Sequence, residues 1–398
     1  MRAAFGQYDY LPLTSLFSLV SVISAPFNVQ GSSTSVPVGS FPDGLYQSLA
    51  AGGPGADFIQ QNPSRSYVLQ WHFSVQRQLT PSLLLEVGYA GSHGVHLPLV
   101  VGDINTVPPA ADTPQGYVWP TPRGSGVKPW PSWGIVTAVT WQVSSTYNAL
   151  PVRLQKRLSR GLLVQGSYTW SKSLDTGSNS LMTAYTNTVS NLPVFDPRLR
   201  RGVSDFDVPQ NLVVSGTWEL PVARSGWKPL TEFAKGWQFG TLLQLSSGLP
   251  FTATIAGDPL GLNSSVPYDF PNRLNLPGCS NPVNPGNPTD YVKLSCFASP
   301  SPATRLGDAG RNVGRGPGLA DWDASLFKNF HVPRVSESFN VQFRFEAFNA
   351  LNHTNFSPPT STSLQLFTQA LAPILSAGSL TSTSTTSRQL QFAIKVLW

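Results

Sequence analysis

The sequence predicts an all-β fold, an antiparallel sheet that forms a transmembrane β-barrel, and three observations carry that prediction. Apolar and polar residues alternate with period two in segments spread along the whole chain. The connections between these segments are alternately short and long. One face of the segments is almost entirely apolar, whereas the opposite face carries Gln, Ser, Thr and Asn with occasional charges.

The composition of the 398-residue chain suits strands joined by long loops. Charged residues make up 12%, well below the roughly 25% of ordinary globular chains, whereas aromatic residues reach 11%. This is not a disordered composition, because disorder combines low hydrophobicity with high charge. The net charge is +6, but the Lys and Arg residues are dispersed, so no nucleic-acid partner is expected.

The first 65 residues are predicted to hold a partial first strand, in AAFGQYDY, and a long extracellular loop. No segment reaches the ~18 apolar residues that a transmembrane helix needs. The most apolar stretch, Leu11 to Ala25, could be the core of a signal peptide, but Asp9 precedes it and Ile23 stands where a small residue is needed. A loop or strand in a chain that starts further upstream is the preferred interpretation.

Residues 66–398 are predicted to form barrel strands with long outer loops, giving about ten strands with the N-terminal one. Each segment is about 10 to 13 residues long, close to the ~9 to 11 that cross a bilayer at a tilt. After AAFGQYDY the predicted strands are Tyr67–Gln76, Leu83–Ala90, Tyr147–Leu158, Leu162–Ser171, Asn211–Leu220, Trp237–Ser246, Asp321–Phe330, Phe339–Phe348 and Arg388–Trp398.

Connection lengths indicate which kind of sheet these strands form. The short connections are centred on Pro81, Arg160, Ser225 and Arg334, and every other connection is long. A soluble sandwich prefers short connections at both ends, since loops beyond ~12 to 15 residues are uncommon there. Short turns on one side and long loops on the other are typical of an outer-membrane barrel.

Five charged residues fall on the polar face of the predicted strands and are candidates to face the lumen. One interpretation is that they line a substrate path or contact a plug. The preferred interpretation is that paired lumen charges hold a wide barrel in shape. The five residues are Glu86, Glu219, Asp323, Arg344 and Glu346.

Other residue patterns could in principle form sites of chemistry. His93 and His96 have a spacing that suits a metal, but no third ligand is near in sequence, so they are interpreted as loop histidines. The glycine-rich GDAGRNVGRGPG, residues 307–318, lacks the Lys-Ser/Thr ending of a phosphate loop and is interpreted as a loop entering a barrel strand. No Ser/His/Asp arrangement stands out, so we expect no enzyme, no metal and no cofactor.

Two features are assigned to the outer loops. Cys279 and Cys296 lie in one Pro/Asn-rich stretch and are expected to form a disulfide, with two free thiols as the alternative. Four tryptophans fall in a second loop, where they could stack on a ligand such as a sugar or simply pack the loop. They are Trp119, Trp130, Trp133 and Trp141.

Five segments also carry a family resemblance, which covers most of residues 67–398 in the right order. Together they resemble the C-terminal barrel of Oar-like TonB-dependent outer-membrane receptors. The segments are YNALPVRLQKRLSRGLLVQGSYTWSKSLD, RGVSDFDVPQNLVVSGTWELP, GWQFGTLLQLSSGLPFT, GDAGRNVGRGPGLADWDASLFKNF and FRFEAFNALNHTNF.

The resemblance implies a barrel of about 22 strands filled by an N-terminal plug, with a TonB box and often a β-sandwich domain ahead of the plug. The plug, the box and the sandwich have no counterpart here, so we expect the chain to be the C-terminal part of such a receptor. Its partners would be outer-membrane lipid, the barrel-assembly machinery, an unknown extracellular ligand and, only through the missing N-terminal part, the TonB complex. The implied role is ligand uptake; the alternatives are a structural or adhesive outer-membrane barrel without transport, or a non-functional fragment.

The last segment, RQLQFAIKVLW, resembles the signal that the barrel-assembly machinery reads. Its alternate apolar residues are Phe392, Ile394, Val396 and Trp398. The resemblance implies that this strand seals the sheet and that Trp398 lies in the periplasmic aromatic girdle.

Overall fold

The computed structural model describes residues 1–11, 39–40, 43, 54–178, 193, 195–221, 233, 235–264, 268–331 and 339–397. The signal-peptide candidate, the centres of the connections at Ser225 and Arg334, and Trp398 lie outside this range. Within it, no helix is long and apolar enough to cross a membrane.

Ten long strands form one antiparallel sheet, here called the wall, and each strand pairs with the next in chain order. The predicted all-β architecture and the number of strands are therefore confirmed. The strands are β1 (Arg2–Asp9), β2 (Tyr67–Thr80), β3 (Leu83–Val101), β4 (Val136–Ser159), β5 (Leu162–Asp175), β6 (Gln210–Glu219), β7 (Trp237–Ser246), β8 (Leu319–His331), β9 (Asn340–Phe348) and β10 (Gln389–Leu397).

Strands β3 and β4 are longer than predicted, at 19 and 24 residues. The strand β4 begins at Val136, whereas the alternation that predicts it begins only at Tyr147. The sequence pattern misses the first part of the strand because that part is covered on both sides and does not alternate between polar and apolar residues. The short strand Ala56–Ile59 pairs in parallel with this extension. Trp141 consequently lies within β4 and is buried, which corrects its assignment to a loop.

The pairing register separates an apolar face from a polar face of the wall. On the apolar face, Val214 pairs with Leu243 and Leu243 pairs with Trp322. One residue away, Ser215 pairs with Leu242, which pairs with Asp323 on the polar face. Exposed large side chains follow the apolar face on nine of the ten strands, all except β9; they are Phe5, Phe73, Val87, Tyr89, Leu150, Leu154, Trp170, Trp218, Leu245, Phe330, Leu390, Phe392, Ile394 and Val396.

Such a continuous exposed apolar surface is what a membrane covers. Lys328 is a buried charged residue on this face, near the end with the short turns. Its ammonium group donates to the carbonyl oxygens of Phe233, at 2.8 Å, and Lys235. It also lies 5.6, 5.5 and 4.9 Å from the ring centres of Phe233, Trp237 and Phe330. Carbonyls and aromatic rings thus replace the water that the lysine would otherwise need.

The two larger hydrophobic cores lie in the long connections, and two smaller ones lie on the outer parts of β3 and β4. We call the described residues of 102–135, 247–318 and 349–388 the loop cap. One core gathers residues such as Phe251, Ile255, Val292 and Leu366, and a second gathers Trp119 with its neighbours. The loops therefore pack as a folded unit of their own at one end of the wall.

Candidate functional site

Two charged motifs from distant parts of the chain meet where the loop cap joins the wall. We call this contact the clamp; it consists of Asp175, Asp205 and Asp207 on one side and Arg311, Asn312 and Arg315 on the other. The Arg311 guanidinium donates to the Asp175 carboxylate and, at 3.2 Å, to the carbonyl oxygen of Val203. The side chains of Arg311 and Asp175 are only 1% and 2% exposed. Their ion pair is therefore shielded from water.

Asp207 and Asn312 make the remaining contacts of the clamp. Arg315 donates to the Asp207 carboxylate and, at 2.8 Å, to the Asp207 carbonyl oxygen. The backbone N–H of Ser173 donates to the same carboxylate at 2.6 Å. Asn312 donates to Asp205 Oδ1 at 2.7 Å. Three carboxylates at the end of β5 and before β6 thus bind one short basic segment ahead of β8.

The clamp fixes the loop cap on the side of the wall that carries the polar face. Asp175 is the last residue of β5, and it belongs to the same alternate set as Ser171 and Ser173. Both motifs, SDFD and GRNVGR, stand out in the sequence, but no local pattern pairs them. Their opposite charges were the available signal, but nothing in the sequence fixes which acidic motif faces which basic one.

A second arginine near the clamp is buried without a countercharge contact. Arg200 is 0% exposed, and its guanidinium nitrogens have no hydrogen-bond partner among the described residues. Burial, followed by the positive charge of Arg311, lowers the pKa of Arg200 to about 10. Close by in sequence, a hydrogen bond from Arg198 lowers the pKa of Asp196 to about 2. The connection between β5 and β6 therefore combines a strongly paired carboxylate, Asp196, with a buried cation, Arg200, that has no hydrogen-bond partner among the described residues.

The predicted disulfide between Cys279 and Cys296 is confirmed, with an S–S distance of 2.00 Å. Both cysteines are buried in the core that contains Val292 and Phe297. The bridge ties together a stretch with few regular elements, so it restricts the unfolded cap more than the unfolded wall.

Replacing Cys279 and Cys296 by serine is expected to destabilise the loop cap by about 3 kcal/mol, the usual effect for a loop of this length. Limited proteolysis of the purified chain should then cut faster within residues 274–300. The membrane-embedded wall should keep its gel shift on heating in SDS. Equal cleavage rates in wild type and double variant would contradict a stabilising role for the bridge.

Two of the five charged lumen candidates come together in a hollow on the polar face. This hollow has a volume of about 390 Å³, and Asp323 and Glu346 both line it. Its other lining residues include Ser215, Thr217, Leu242 and Ser325. The remaining three candidates do not line it. Glu86 pairs by register with Gln76 and Arg153, and Glu219 pairs with Gln238.

The preferred interpretation of these charges as ion-paired supports is not borne out in the part of the chain that the structure describes. No ion pair there joins any two of the five. Arg344 instead lies over the Phe327 ring, 5.3 Å from its centre, and donates to Gln342.

Asp323 has a structural contact that the sequence did not suggest. Its carboxylate accepts a hydrogen bond at 2.9 Å from the N–H of Asn349, the first residue after β9. Asn349 donates to the carbonyl oxygens of His353 and Thr386, and Asn355 exchanges hydrogen bonds with the backbone of Ala320. The asparagines of FNALNHTNF thus close the outer ends of β8, β9 and β10.

The structure separates the loop tryptophans. Trp119 is 1% exposed, and its indole N–H donates to the carbonyl oxygen of Val107 at 2.7 Å. Its burial leaves no ring face for a ligand, so the prediction that Trp119 contacts a ligand is corrected. Trp130 and Trp133 are 45% and 39% exposed and stay candidates.

His93 and His96 lie in strand β3 and not in a loop, which corrects that part of the interpretation. The Nδ1 atom of His93 lies 3.1 Å from the Thr146 hydroxyl oxygen, and that of His96 lies 3.3 Å from the carbonyl oxygen of Arg65. In the described ranges, no three His, Cys, Asp or Glu residues are grouped as metal ligands.

The proposed assembly signal lies on the apolar face of an edge strand. Phe392, Ile394 and Val396 are exposed there, and Phe392 packs against Phe345 with ring centres 5.0 Å apart. Recognition of these residues by the assembly machinery stays a prediction.

These features define a class of protein: an antiparallel membrane β-barrel whose outside is apolar and whose polar face lines the lumen. Residues 1–391 match the family model described as an outer membrane beta barrel domain. The chain belongs to this family, and it is a protein of the outer membrane. The class and the location predicted from the sequence are confirmed.

Solved structures of outer-membrane transporters are similar to this chain at low sequence identity. The transporter YddB from Escherichia coli matches at 10% identity and a TM-score of 0.43, over 87% of this chain and 34% of YddB. The unliganded ferric citrate transporter FecA matches at 9% identity and a TM-score of 0.37, over 84% of this chain and 31% of FecA. The FrpB iron transporter from Neisseria meningitidis, F3-3 variant, matches at 10% identity and a TM-score of 0.36, over 89% of this chain and 34% of FrpB. The chain thus spans about a third of the length of these transporters, and a comparison with curated proteins finds no match.

Proposed function

We propose that the chain supplies part of the barrel wall and the extracellular ligand-capturing loops of a TonB-dependent outer-membrane receptor that imports its ligand. The observation that carries this proposal is the position of the loop cap. The buried pair between Arg311 and Asp175 attaches the cap to the polar-face side of the strand ends. A folded cap over the mouth of a lumen would meet solutes before they enter.

The polar face supports the same proposal. The hollow beside Asp323 and Glu346 offers carboxylates and hydroxyl groups to a hydrated solute. The strands are thereby suited to a wet interior and not to a dry core. Gating and coupling to TonB are proposed to come from a plug domain outside these 398 residues.

The experiment compares cells that carry the gene with cells from which it has been deleted, both grown in a complex extract. Mass spectrometry of the spent medium identifies any solute that only the carrier cells remove. An imported ligand should accumulate inside the cells, and a proton uncoupler should stop its accumulation, because TonB-dependent import consumes the inner-membrane gradient.

Removal that continues unchanged with the uncoupler, with the solute retained on the cell surface, would show adhesion and contradict transport. Identical spent media from both strains would also overturn the proposal. As a matched control for orientation, Ser125→Cys in the cap should react with an impermeant maleimide on intact cells. Ser82→Cys in the short β2–β3 turn should react only after the cells are permeabilised.

A further inference from the structure

A second hollow, where the loop cap meets the outer end of β4 and the short strand Ala56–Ile59, is lined by apolar side chains alone. We call it the aromatic cleft; it has a volume of about 410 Å³ and is lined by Ala56, Phe58, Ile104, Trp130, Trp133 and Val136. Small-molecule sites typically have volumes of roughly 300 to 1,000 Å³. Phe58, Trp130 and Trp133 are each more than a third exposed, so their rings are open to solvent.

Buried polar side chains hold the two tryptophans in place. Asn105, which is fully buried, donates through Nδ2 to the carbonyl oxygens of Trp130, Trp133 and Gly134 at 3.0, 3.0 and 2.9 Å. The N–H of Trp130 donates back to Asn105 Oδ1 at 3.1 Å. The loop is thus fixed by one side chain at four backbone atoms.

Asp103 extends this support. Its Oδ1 atom accepts hydrogen bonds from the N–H groups of Asn105 and Val136 at 2.9 and 3.2 Å. Its other oxygen accepts from the Ser264 hydroxyl at 3.1 Å. The usual pattern of burial is inverted here, since an amide and a carboxylate are buried while two indole rings stay in water. A loop that only had to fold would bury the rings instead.

The position of the aromatic cleft excludes a role as a membrane anchor. The exposed apolar residues of β4 end at Leu150, and the outward residues beyond it are Asn148 and Thr146. Val136 lies about 14 residues from Leu150, or about 45 Å along the strand. Interfacial aromatic girdles lie at the edge of the apolar band, so these rings are too far out to belong to one.

The lining also decides what kind of group the cleft accepts. A sugar or a charged solute would need hydroxyl, amide or charged side chains around it, because polar groups buried without partners are costly. None of the six lining residues has such a side chain. The stacking partner suggested by the tryptophans is therefore an apolar one.

We propose that the aromatic cleft captures a neutral, apolar group of the solute, namely a flat aromatic ring. This inference rests on the proposed function, because it names the chemistry that the loop cap would select for import. Because the loop is already fixed, it does not have to become ordered when the ligand binds. The entropic cost of binding is therefore lower.

The test uses the full chain in lipid nanodiscs, labelled with 5-fluorotryptophan and titrated with 2-naphthol. The ¹⁹F signals of Trp130 and Trp133, assigned with Trp→Phe variants, should shift and saturate. Trp218, exposed on the apolar face of the wall, is the internal reference for partition of the probe into lipid. Its signal should change linearly without saturating. Glucose, the matched polar probe, should leave all signals in place.

Two variants, in different segments of the chain that line the cleft, test the site itself. Trp133→Ala and Phe58→Ala should each weaken 2-naphthol binding about tenfold or more, as expected when one aromatic contact is lost. Each variant is first checked for the gel shift on heating that marks a folded barrel. Using both keeps the test decisive if one variant fails to fold.

Three results would overturn the inference: no saturable shift at Trp130 and Trp133, saturation by glucose instead of 2-naphthol, or unchanged affinity in both variants. The outcome is separable from that of the proposed function, since binding is measured without transport. Binding at the cleft with no uptake by cells would reject the transporter, whereas uptake without binding would reject only the cleft.

Discussion

Leu243→Arg is expected to destabilise the folded barrel by about 2 to 4 kcal/mol. Leu243 lies in the middle of β7, on the apolar face, between Val214 and Trp322 of the neighbouring strands. An arginine there would place its guanidinium in hydrocarbon, at the depth where lipid-facing charge is most costly. Urea unfolding of the protein in lipid vesicles, followed by tryptophan fluorescence, measures the change.

The neighbouring residue supplies a matched control, because Leu242 is also a leucine in mid-strand but lies on the polar face. Leu242→Arg would extend toward the hollow and toward Asp323, its partner on β8. The free energy of unfolding should change little, since the new charge stays in water beside a carboxylate. Equal losses from both substitutions would show that the two faces are not lipid and lumen.

Asp175→Asn is expected to destabilise the attachment of the loop cap to the wall by about 3 to 5 kcal/mol. The substitution keeps the shape of the side chain but removes its charge, so the buried Arg311 loses its countercharge. A buried ion pair broken at one partner costs much more than a surface pair. Hydrogen exchange of the backbone amides in residues 202–207 and 311–315 should rise first.

Asp9→Asn is the control for this prediction. Asp9 also pairs with an arginine, Arg65, at 2.6 Å, but both side chains are largely exposed. Solvent screens that pair, so its loss should leave unfolding and hydrogen exchange unchanged within error. An effect of Asp175→Asn no larger than that of Asp9→Asn would mean that the clamp does not hold the loop cap.

The wall could be predicted from the sequence because each of its strands carries its own signal. Side chains on a strand alternate between its two faces. The polarity of Phe343 and Arg344 therefore predicts which face of β9 meets lipid and which meets the lumen, without information from any other strand. The predicted strands are too short where this alternation of polar and apolar residues is lost. In the first part of β4 both faces are covered, and residues such as Ala138 and Val139 are buried on opposite sides.

The candidate sites depended much more on contacts between distant segments. Cys279 and Cys296 are close in sequence, and their pairing was predicted. Arg311 and Asp175 are 136 residues apart, and no local pattern joins them. Trp119 and Trp130 are both tryptophans of one loop, yet Trp119 is buried and Trp130 is exposed.

The sequence by itself determined that the chain is a membrane β-barrel with ten strands, short turns at one end and long loops at the other. These properties follow from local periodicity and spacing, which act within one strand or one turn. Only the tertiary structure decided that the long loops fold into a cap, that a buried ionic clamp holds this cap over the polar face, and that two of the loop tryptophans stay open to solvent. Those properties depend on burial and on pairing between remote residues, because the free energy of an ion pair or an aromatic ring is set by what surrounds it.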